Sequence, residues 1–387
     1  MKDMAVGIMS GTSLDGIDVV IASIDGMGKS TRVDLVAFET FPFDPLLKKR
    51  IIQALNPISC SLELITSLNM ELGYAFGFAA KRLCEKNHIP IDHIAFVSSH
   101  GQTIWHINED DKTHVRSSLQ LGDGSAIASI MKTTVITNFR NADIAEGGVG
   151  APLVPYMDYI LYRDEEKTRV LHNIGGISNV TVLPKQATED DVYAFDTGPG
   201  NMMIDEAMYL FYQRSYDEDG NIASSGKMID SLMNELMNHP YLLMEPPKST
   251  GREIFGRLYT HALLNTYQQE KPEDIIHTLS MFTVNSIIHQ FKHFILPKHR
   301  VDEVIISGGG MHNQFILGEL EKRLPEITWL TINQIGGHGD AKEALAFLIL
   351  GHETLHKQPS NVLKATGAKR KTILGQVTYY HKEEGIS

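Results

Sequence analysis

Cysteine is almost missing from this chain: Cys60 and Cys84 are the only two among 387 residues. That excludes a disulfide scaffold, and their separation fits no zinc-ligand spacing, so both read as buried thiols in a reducing compartment. No run of Lys and Arg occurs, and the formal charge is −12. A phosphate backbone or an anionic bilayer would be repelled, so nucleic acid and membrane are excluded as partners. No apolar run reaches the ~18 residues of a membrane helix, and no charged leader with an apolar core precedes the first strand. The expected localisation is therefore cytoplasmic. The seventeen histidines include neither a zincin-type helical pair nor a Cys-His cluster. A Rossmann G-x-G-x-x-G is absent, and the stretch 220–227 lacks P-loop spacing.

What is present is enough apolar material, 42% of residues, for two cores, in a chain longer than one core usually serves. The most informative stretch is 170–205. Two β-rich runs flank Gly175-Gly176, and a third ends on Asp196 before Gly198-Pro199-Gly200-Asn201 and an apolar helical pattern. Glycine turns let backbone N–H groups approach a polyanion, and the helix that follows would add its positive N-terminal end. An acid that ends a strand is aimed where a ligand sits. A near-copy lies at 6–22, where two β runs surround Ser10-Gly11-Thr12-Ser13-Leu14-Asp15-Gly16. Such a matched pair is the pattern of duplicated domains closing on a nucleotide. Against this acidic background a divalent cation must screen the nucleotide.

The rest of the chain reads as α/β. Residues 4–24 form the first hairpin and 33–41 a third strand; 46–55 and 61–86 carry helical periodicity. A short strand at 94–98 is expected to end at Ser99-His100-Gly101-Gln102-Thr103, on a ligand-facing sheet edge. A helix at 125–131 and a strand at 133–137 precede Asn138-Phe139-Arg140 and Asp143. The glycines at 147–150 mark the expected domain crossover. Helices are expected at 225–237, 254–269, 275–294 and 313–323, and a strand at 301–307 delivers Gly308-Gly309-Gly310. Asp340 and Glu343 form a capping-box pattern at the head of an apolar helix, and 373–380 is strand-like.

These motifs together resemble one family. Met9 to Gly16, His100 to Thr103, Gly122 to Gly124, Phe139-Arg140 with Asp143, Gly150 to Leu153, Asn173 to Gly176, Asp196 to Asn201, Pro247 to Glu253, Ser307 to Gly310 and Asp340 to Ala344 occur in the order of the anhydro-N-acetylmuramic acid kinases and span nearly the whole chain. One departure is Asn138, where that family usually carries Asp. The resemblance implies two ribonuclease-H-like domains of the actin/hexokinase/Hsp70 type with an ATP cleft between them. Domain 1 would hold 1–138 plus about 358–387, and domain 2 would hold 139–357. It implies ATP with Mg²⁺ as cofactors, 1,6-anhydro-N-acetylmuramic acid as substrate, N-acetylmuramic acid 6-phosphate as product, and a homodimer.

Carried over residue by residue, the resemblance assigns Asp196 as catalytic base. It assigns Gly11, Thr12, Ser13, Leu14, Asp15, Gly16, Ile17 and Asp18 to the ATP phosphates. Asn173, Gly175, Gly176, Asn179 and Gly198 join a second phosphate loop, and Gly308, Gly309 and Gly310 lie at the adenosine. Glu343 is a second catalytic candidate, against a role as helix cap. His100, Gln102 and Arg140 are candidates for the sugar. Arg140 would pair an oxyanion in two-point fashion, or else Asp143 across the domains. Asp15 or Asp18 would order the metal through water. An ordinary sugar kinase acting on a free hydroxyl is the alternative; a nucleotide-dependent binding protein would need extra domains for which there is no spare length.

Overall fold

The computed structural model describes residues 3–11 and 14–381. The chain divides into two compact units, Met1–Leu161 with Asp340–Ser387, and Tyr162–Gly339.

In the first unit, β1 (Asp3–Ser10), β2 (Ile17–Asp25) and β3 (Arg32–Phe41) form an antiparallel meander. Helix α1 (Pro45–Ala54) starts where the Asp44 carboxylate accepts from the N–H groups of Leu46 and Leu47, and Ser61 caps α2 (Leu62–Lys86) in the same way. Then follow β4 (Ile94–Ile107), β5 (Ser117–Leu121), α3 (Gly124–Met131), β6 (Thr134–Thr137), α4 (Arg140–Ala145) and α5 (Val154–Tyr162). The α2 residues Leu64, Leu68, Leu72, Phe76 and Leu83 bury one stripe against Val6, Ile8, Val19 and Ile21 of the sheet. Each such side chain contributes about 1.5–3 kcal/mol by leaving water.

The second unit holds β7 (Arg169–Ile174), β8 (Ile177–Leu183), β9 (Tyr193–Pro199) and α6 (Met202–Tyr212), then α7 (Asn221–Ser225), α8 (Asp230–Met237), α9 (Arg252–Phe255), α10 (Arg257–Thr266) and the buried α11 (Pro272–Gln290). It closes with β10 (Glu303–Ser307), α12 (Gln314–Arg323) and β11 (Thr328–Thr331). The chain then returns to the first unit as α13 (Lys342–Leu355), α14 (Leu363–Thr366) and β12 (Gln376–Thr378).

The two sheets share one plan. The first runs β12-β6-β4-β1-β2-β3, with β5 paired to β4; the second runs β11-β10-β7-β8-β9. In each, three antiparallel strands are followed by two that join in parallel beyond the first. This is the ribonuclease-H-like order, present twice, as expected.

Several local expectations change. The units divide at 161/162 and 339/340, not at 138/139 and 357/358, because α13 packs on β1 and β4 of the first sheet. Gly7 permits that contact: a Cβ there would lie 2.2 Å from the Ala344 carbonyl oxygen. The glycines at 147–150 therefore lie inside the first unit and mark no crossover. Strand β4 does not stop at Ser98; it bends through His100 and Gln102 to pair with β5. The expected helix at 225–237 is broken at Gly226, whose Cβ would meet the Glu273 carbonyl oxygen at 2.1 Å, and the one at 254–269 at extended Gly256. The capping box at Asp340 does not form, since the N-cap falls on Ala341. Cys84 is buried, but Cys60 is only partly so.

Candidate active site

The register of the second sheet sets a row of polar residues side by side. Ser307 on β10 is opposite Asn173 on β7, Asn173 is opposite Asn179 on β8, and Asn179 is opposite Asp196 on β9. Paired residues share a face of the sheet, so the four side chains line one edge of it. At one end of the row, the Ser307 hydroxyl donates to Asn173 Oδ1 at 3.4 Å.

Asp196 ends the row under constraint, and it lies within β9 rather than at its end as expected, because the strand runs on to Pro199 in its pairing with β8. Its Oδ2 accepts from the Thr250 N–H at 2.8 Å, its own N–H donates to the Lys248 carbonyl at 3.1 Å, and its carbonyl accepts from the Tyr241 hydroxyl at 2.7 Å. Burial pushes its pKa up to about 7; Glu253 adds to the rise, while the Thr250 N–H and the Lys248 charge oppose it. A carboxylate titrating near neutrality is suited to general-base work at cellular pH.

The glycines around this row differ in what they need. At Gly308, with φ +79°, a Cβ would lie 2.6 Å from Asn173 Oδ1, and at Gly310 it would meet the Ile174 side chain at 2.4 Å. Both are glycine because the loop packs on the end of β7. Gly198, with φ +140°, packs on Ser286 of α11. At Gly175 and Gly176 no neighbour lies nearer than 3.5 Å, and neither has a positive φ. Nothing within the fold requires glycine at these two, and the Gly176 N–H has no partner among the described residues. The start of α6 is partly committed within the fold. The N–H groups of Gly200, Asn201 and Met202 already serve the carbonyls of Gly175 and Gly176.

In the first unit, Thr12 and Ser13 lie outside the described residues. Gly11 follows β1 and its carbonyl accepts from the Leu14 N–H at 3.3 Å. Leu14 and Ile17 belong to the hydrophobic core, so their side chains face no ligand. Gly16 packs on the end of β3, where a Cβ would lie 2.7 Å from the Phe41 carbonyl oxygen. Asp15 is exposed. Asp18 accepts from the Thr40 hydroxyl at 2.6 Å, and burial, with the charges of Asp340 and Asp15, raises its pKa. Glu343 is exposed in the first turn of α13, yet the protein around it displaces water, and that desolvation, then the charge of Asp18, raises its pKa too.

Arg140 opens α4. Its Nε and Nη2 donate to His100 Nε2 at 3.1 and 2.8 Å, and Nη1 donates to the Gly150 carbonyl at 2.8 Å. Burial lowers its pKa to about 10, which leaves it cationic at neutral pH. His100 is 3% exposed and packs at a tilt against the Phe347 ring of α13; burial, then the Arg140 charge, holds it well below the usual histidine range. Its Nδ1 donates to the Gly101 carbonyl at 2.8 Å, so Nε2 is the acceptor that fixes the guanidinium. Arg140 makes no pair with Asp143, which is also in the first unit. The Asp143 carboxylate accepts from the Gly150 N–H, Asn361 and Thr366. Asn138 has left-handed backbone, φ 55°, a conformation that Asn and Asp both tolerate.

Two expected sugar contacts thus become supports. His100 is committed to Arg140. Fully buried Gln102 accepts from the Ser10 hydroxyl at 2.5 Å and donates to the carbonyls of Gly11 and Thr103. Sequence reasoning missed Ser307, Tyr241, Lys248 and Thr250; the Pro247 to Glu253 motif was visible but had no role.

A duplicated ribonuclease-H-like order, with the Asp196 carboxylate on β9 near an open glycine turn between β7 and β8, fits a phosphotransferase. The family described as anhydro-N-acetylmuramic acid kinase matches residues 3–380. Proteins of that name are 48% identical to this chain in Francisella tularensis subsp. novicida (375 residues, 97% of this chain and 98% of that one), Bacillus thuringiensis subsp. konkukian (376 residues, 97% and 98%) and Clostridioides difficile (374 residues, 97% and 98%). The chain belongs to the anhydro-N-acetylmuramic acid kinase family.

Proposed function

We propose that this kinase converts 1,6-anhydro-N-acetylmuramic acid, ATP and water into N-acetylmuramic acid 6-phosphate and ADP, with Asp196 as the base. In the anhydro sugar O6 is tied to C1, so no free 6-hydroxyl exists until that bond opens. Water attacks C1 while Asp196 takes its proton, in the manner of an inverting glycosidase. O6 leaves as a developing oxyanion and captures the γ-phosphoryl group in line, which replaces the general acid of an ordinary glycosidase. The observation that carries this reading is the Asp196 carboxylate itself, oriented by the Thr250 N–H and brought by burial to a pKa of about 7.

ATP use is supported by Gly175 and Gly176, whose missing side chains leave clearance that the fold does not need. The Gly308 to Gly310 loop, beside Asn173, is assigned to the adenosine, and Asn179 and Gly11 to Asp18 to the phosphates. Arg140, fixed by His100 and Gly150, presents its remaining N–H groups to an oxyanion of the sugar acid. Glu343 is the second carboxylate on the sugar side.

Among the described residues no group of three His, Cys, Asp or Glu could hold a metal ion directly. The carboxylates Asp18 and Glu343, both with raised pKa values, still fit a divalent cation held mainly by water and phosphate. Mg²⁺ so bound, with Asp15 or Asp18 ordering its water, would offset phosphate charge. Among the described residues no helix is long and apolar enough to cross a membrane. The two free thiols fit a reducing, cytoplasmic location, and the homodimer, carried from the family resemblance alone, is tested by light scattering.

The test of the base is Asp196→Asn, assayed for ADP release with the anhydro sugar. Turnover should fall about 10²- to 10⁴-fold while ATP binding by calorimetry persists. A variant that retains most of its turnover would overturn the assignment.

A further inference from the structure

We infer that Lys248 is a positioning residue for the base, holding the 246–250 loop that aims Asp196 and never touching the substrate. The inference rests on the reading of Asp196 as the base. Of the three hydrogen bonds that fix Asp196, two come from backbone groups of this loop, the Lys248 carbonyl and the Thr250 N–H. Residues 246–250 belong to no helix or strand, so something else must hold them in place.

The Lys248 side chain does so. It is 7% exposed, turned inward, and its ammonium donates to the carbonyls of Tyr241 at 3.1 Å and Leu242 at 3.4 Å. It also lies over the rings of Tyr241 at 4.7 Å and Phe294 at 5.2 Å. Gln290 of α11 donates to the same Leu242 carbonyl at 3.1 Å, which fastens the 240–243 turn to the long buried helix. Tyr241 is thereby joined to the loop twice: its carbonyl and ring meet the ammonium, and its hydroxyl grips the Asp196 carbonyl. Lys248, Tyr241 and Asp196 form one closed ring of contacts within the second unit.

Lys248 makes no salt bridge among the described residues. An ammonium buried without a carboxylate is costly, and an apolar side chain of the same length would fill the space without that cost. What the ammonium adds is a positive charge beside the base, although burial lowers its own pKa to about 8. Burial and Glu253 favour the protonated carboxyl of Asp196, whereas Lys248 favours the carboxylate. The other titratable groups facing this cluster are Tyr241 and His289.

The test is Lys248→Met in the full chain, with kcat/KM followed against pH beside the unaltered protein. The acid limb should move to higher pH by about half a unit or more, and kcat at neutral pH should fall with both KM values nearly unchanged. Lys248→Arg, which keeps the charge, should bring the limb part of the way back. A merely structural lysine would lower stability and leave the limb in place, and that result overturns the inference. If Lys248→Met does not fold, Tyr241→Phe keeps the ring and removes only the grip on the Asp196 carbonyl. It should lower kcat about three- to tenfold; an unchanged kcat refutes the closed ring of contacts. An unmoved limb in a protein that Asp196→Asn inactivates counts against Lys248 alone, whereas full activity in Asp196→Asn counts against the base itself.

Discussion

Acidification from about pH 8 to about pH 6 separates a buried base from an ordinary carboxylate, because only the deprotonated form can take the proton of the attacking water. With Asp196 near 7, about nine-tenths of it is ionised at pH 8 and about one-tenth at pH 6, so kcat/KM should fall about tenfold. A carboxyl left near the ordinary aspartate value would be ionised throughout that range and would give a flat profile. The assay is initial-rate ADP release at low concentrations of the anhydro sugar. The terminal phosphate of a nucleotide also titrates near neutrality, so its share must be removed by measuring the nucleotide dependence at each pH. A corrected profile that stays flat to about pH 5 would refute the burial argument for Asp196.

Replacing Arg140 by Lys keeps the charge but loses the planar fork that His100 and Gly150 hold; the KM for the sugar should rise about tenfold with the KM for ATP unmoved, which steady-state kinetics checks. Gly175→Ala should leave thermal stability within about 0.5 kcal/mol, because its Cβ meets nothing nearer than 3.5 Å, yet weaken ATP binding measured by calorimetry. Gly308→Ala, with φ +79° and a Cβ 2.6 Å from Asn173 Oδ1, should instead destabilise the protein by about 2 kcal/mol. Asp205, in the first turn of α6, has a pKa raised to about 7 by burial. Its folded value lies above its unfolded one, so the native state is penalised above about pH 7 and the penalty fades toward about pH 4. Asp205→Asn should accordingly be more stable than the unaltered chain at pH 8 and no different at pH 4, as thermal melts would show.

Both glycine hairpins could be read from the sequence because each is local: β-branched runs on either side of a small-residue turn need no partner to be seen. Their equivalence predicted the duplicated fold that β1-β2 and β7-β8 display at the centre of their sheets. The polar row from Ser307 to Asp196 could not be read in this way. It exists only through the register of β10, β7, β8 and β9, including a shift between Ser178 and Asn179. Thr250 meets Asp196 across 54 positions of chain, and no periodicity connects Pro246-Pro247-Lys248 to a β9 residue that far away. His100 and Gln102 were singled out as polar residues after a strand. They lie within a longer one, because β4 continues through a glycine in left-handed backbone, Gly101 with φ +78°, to reach β5. Their polarity serves Arg140 and the end of β1, contacts made by residues remote in sequence.

The central claim, a water-derived oxygen at C1 coupled to phosphorylation at O6, is tested most directly by mass spectrometry of the product formed with ATP-Mg and 1,6-anhydro-N-acetylmuramic acid in ¹⁸O-labelled water. The account predicts ring-opened, 6-phosphorylated sugar carrying one ¹⁸O at C1 when quenched before anomeric exchange, and no such product from Asp196→Asn. Phosphorylation that leaves the anhydro bond intact, or turnover only of sugars with a free hydroxyl, would contradict it and make the chain an ordinary sugar kinase.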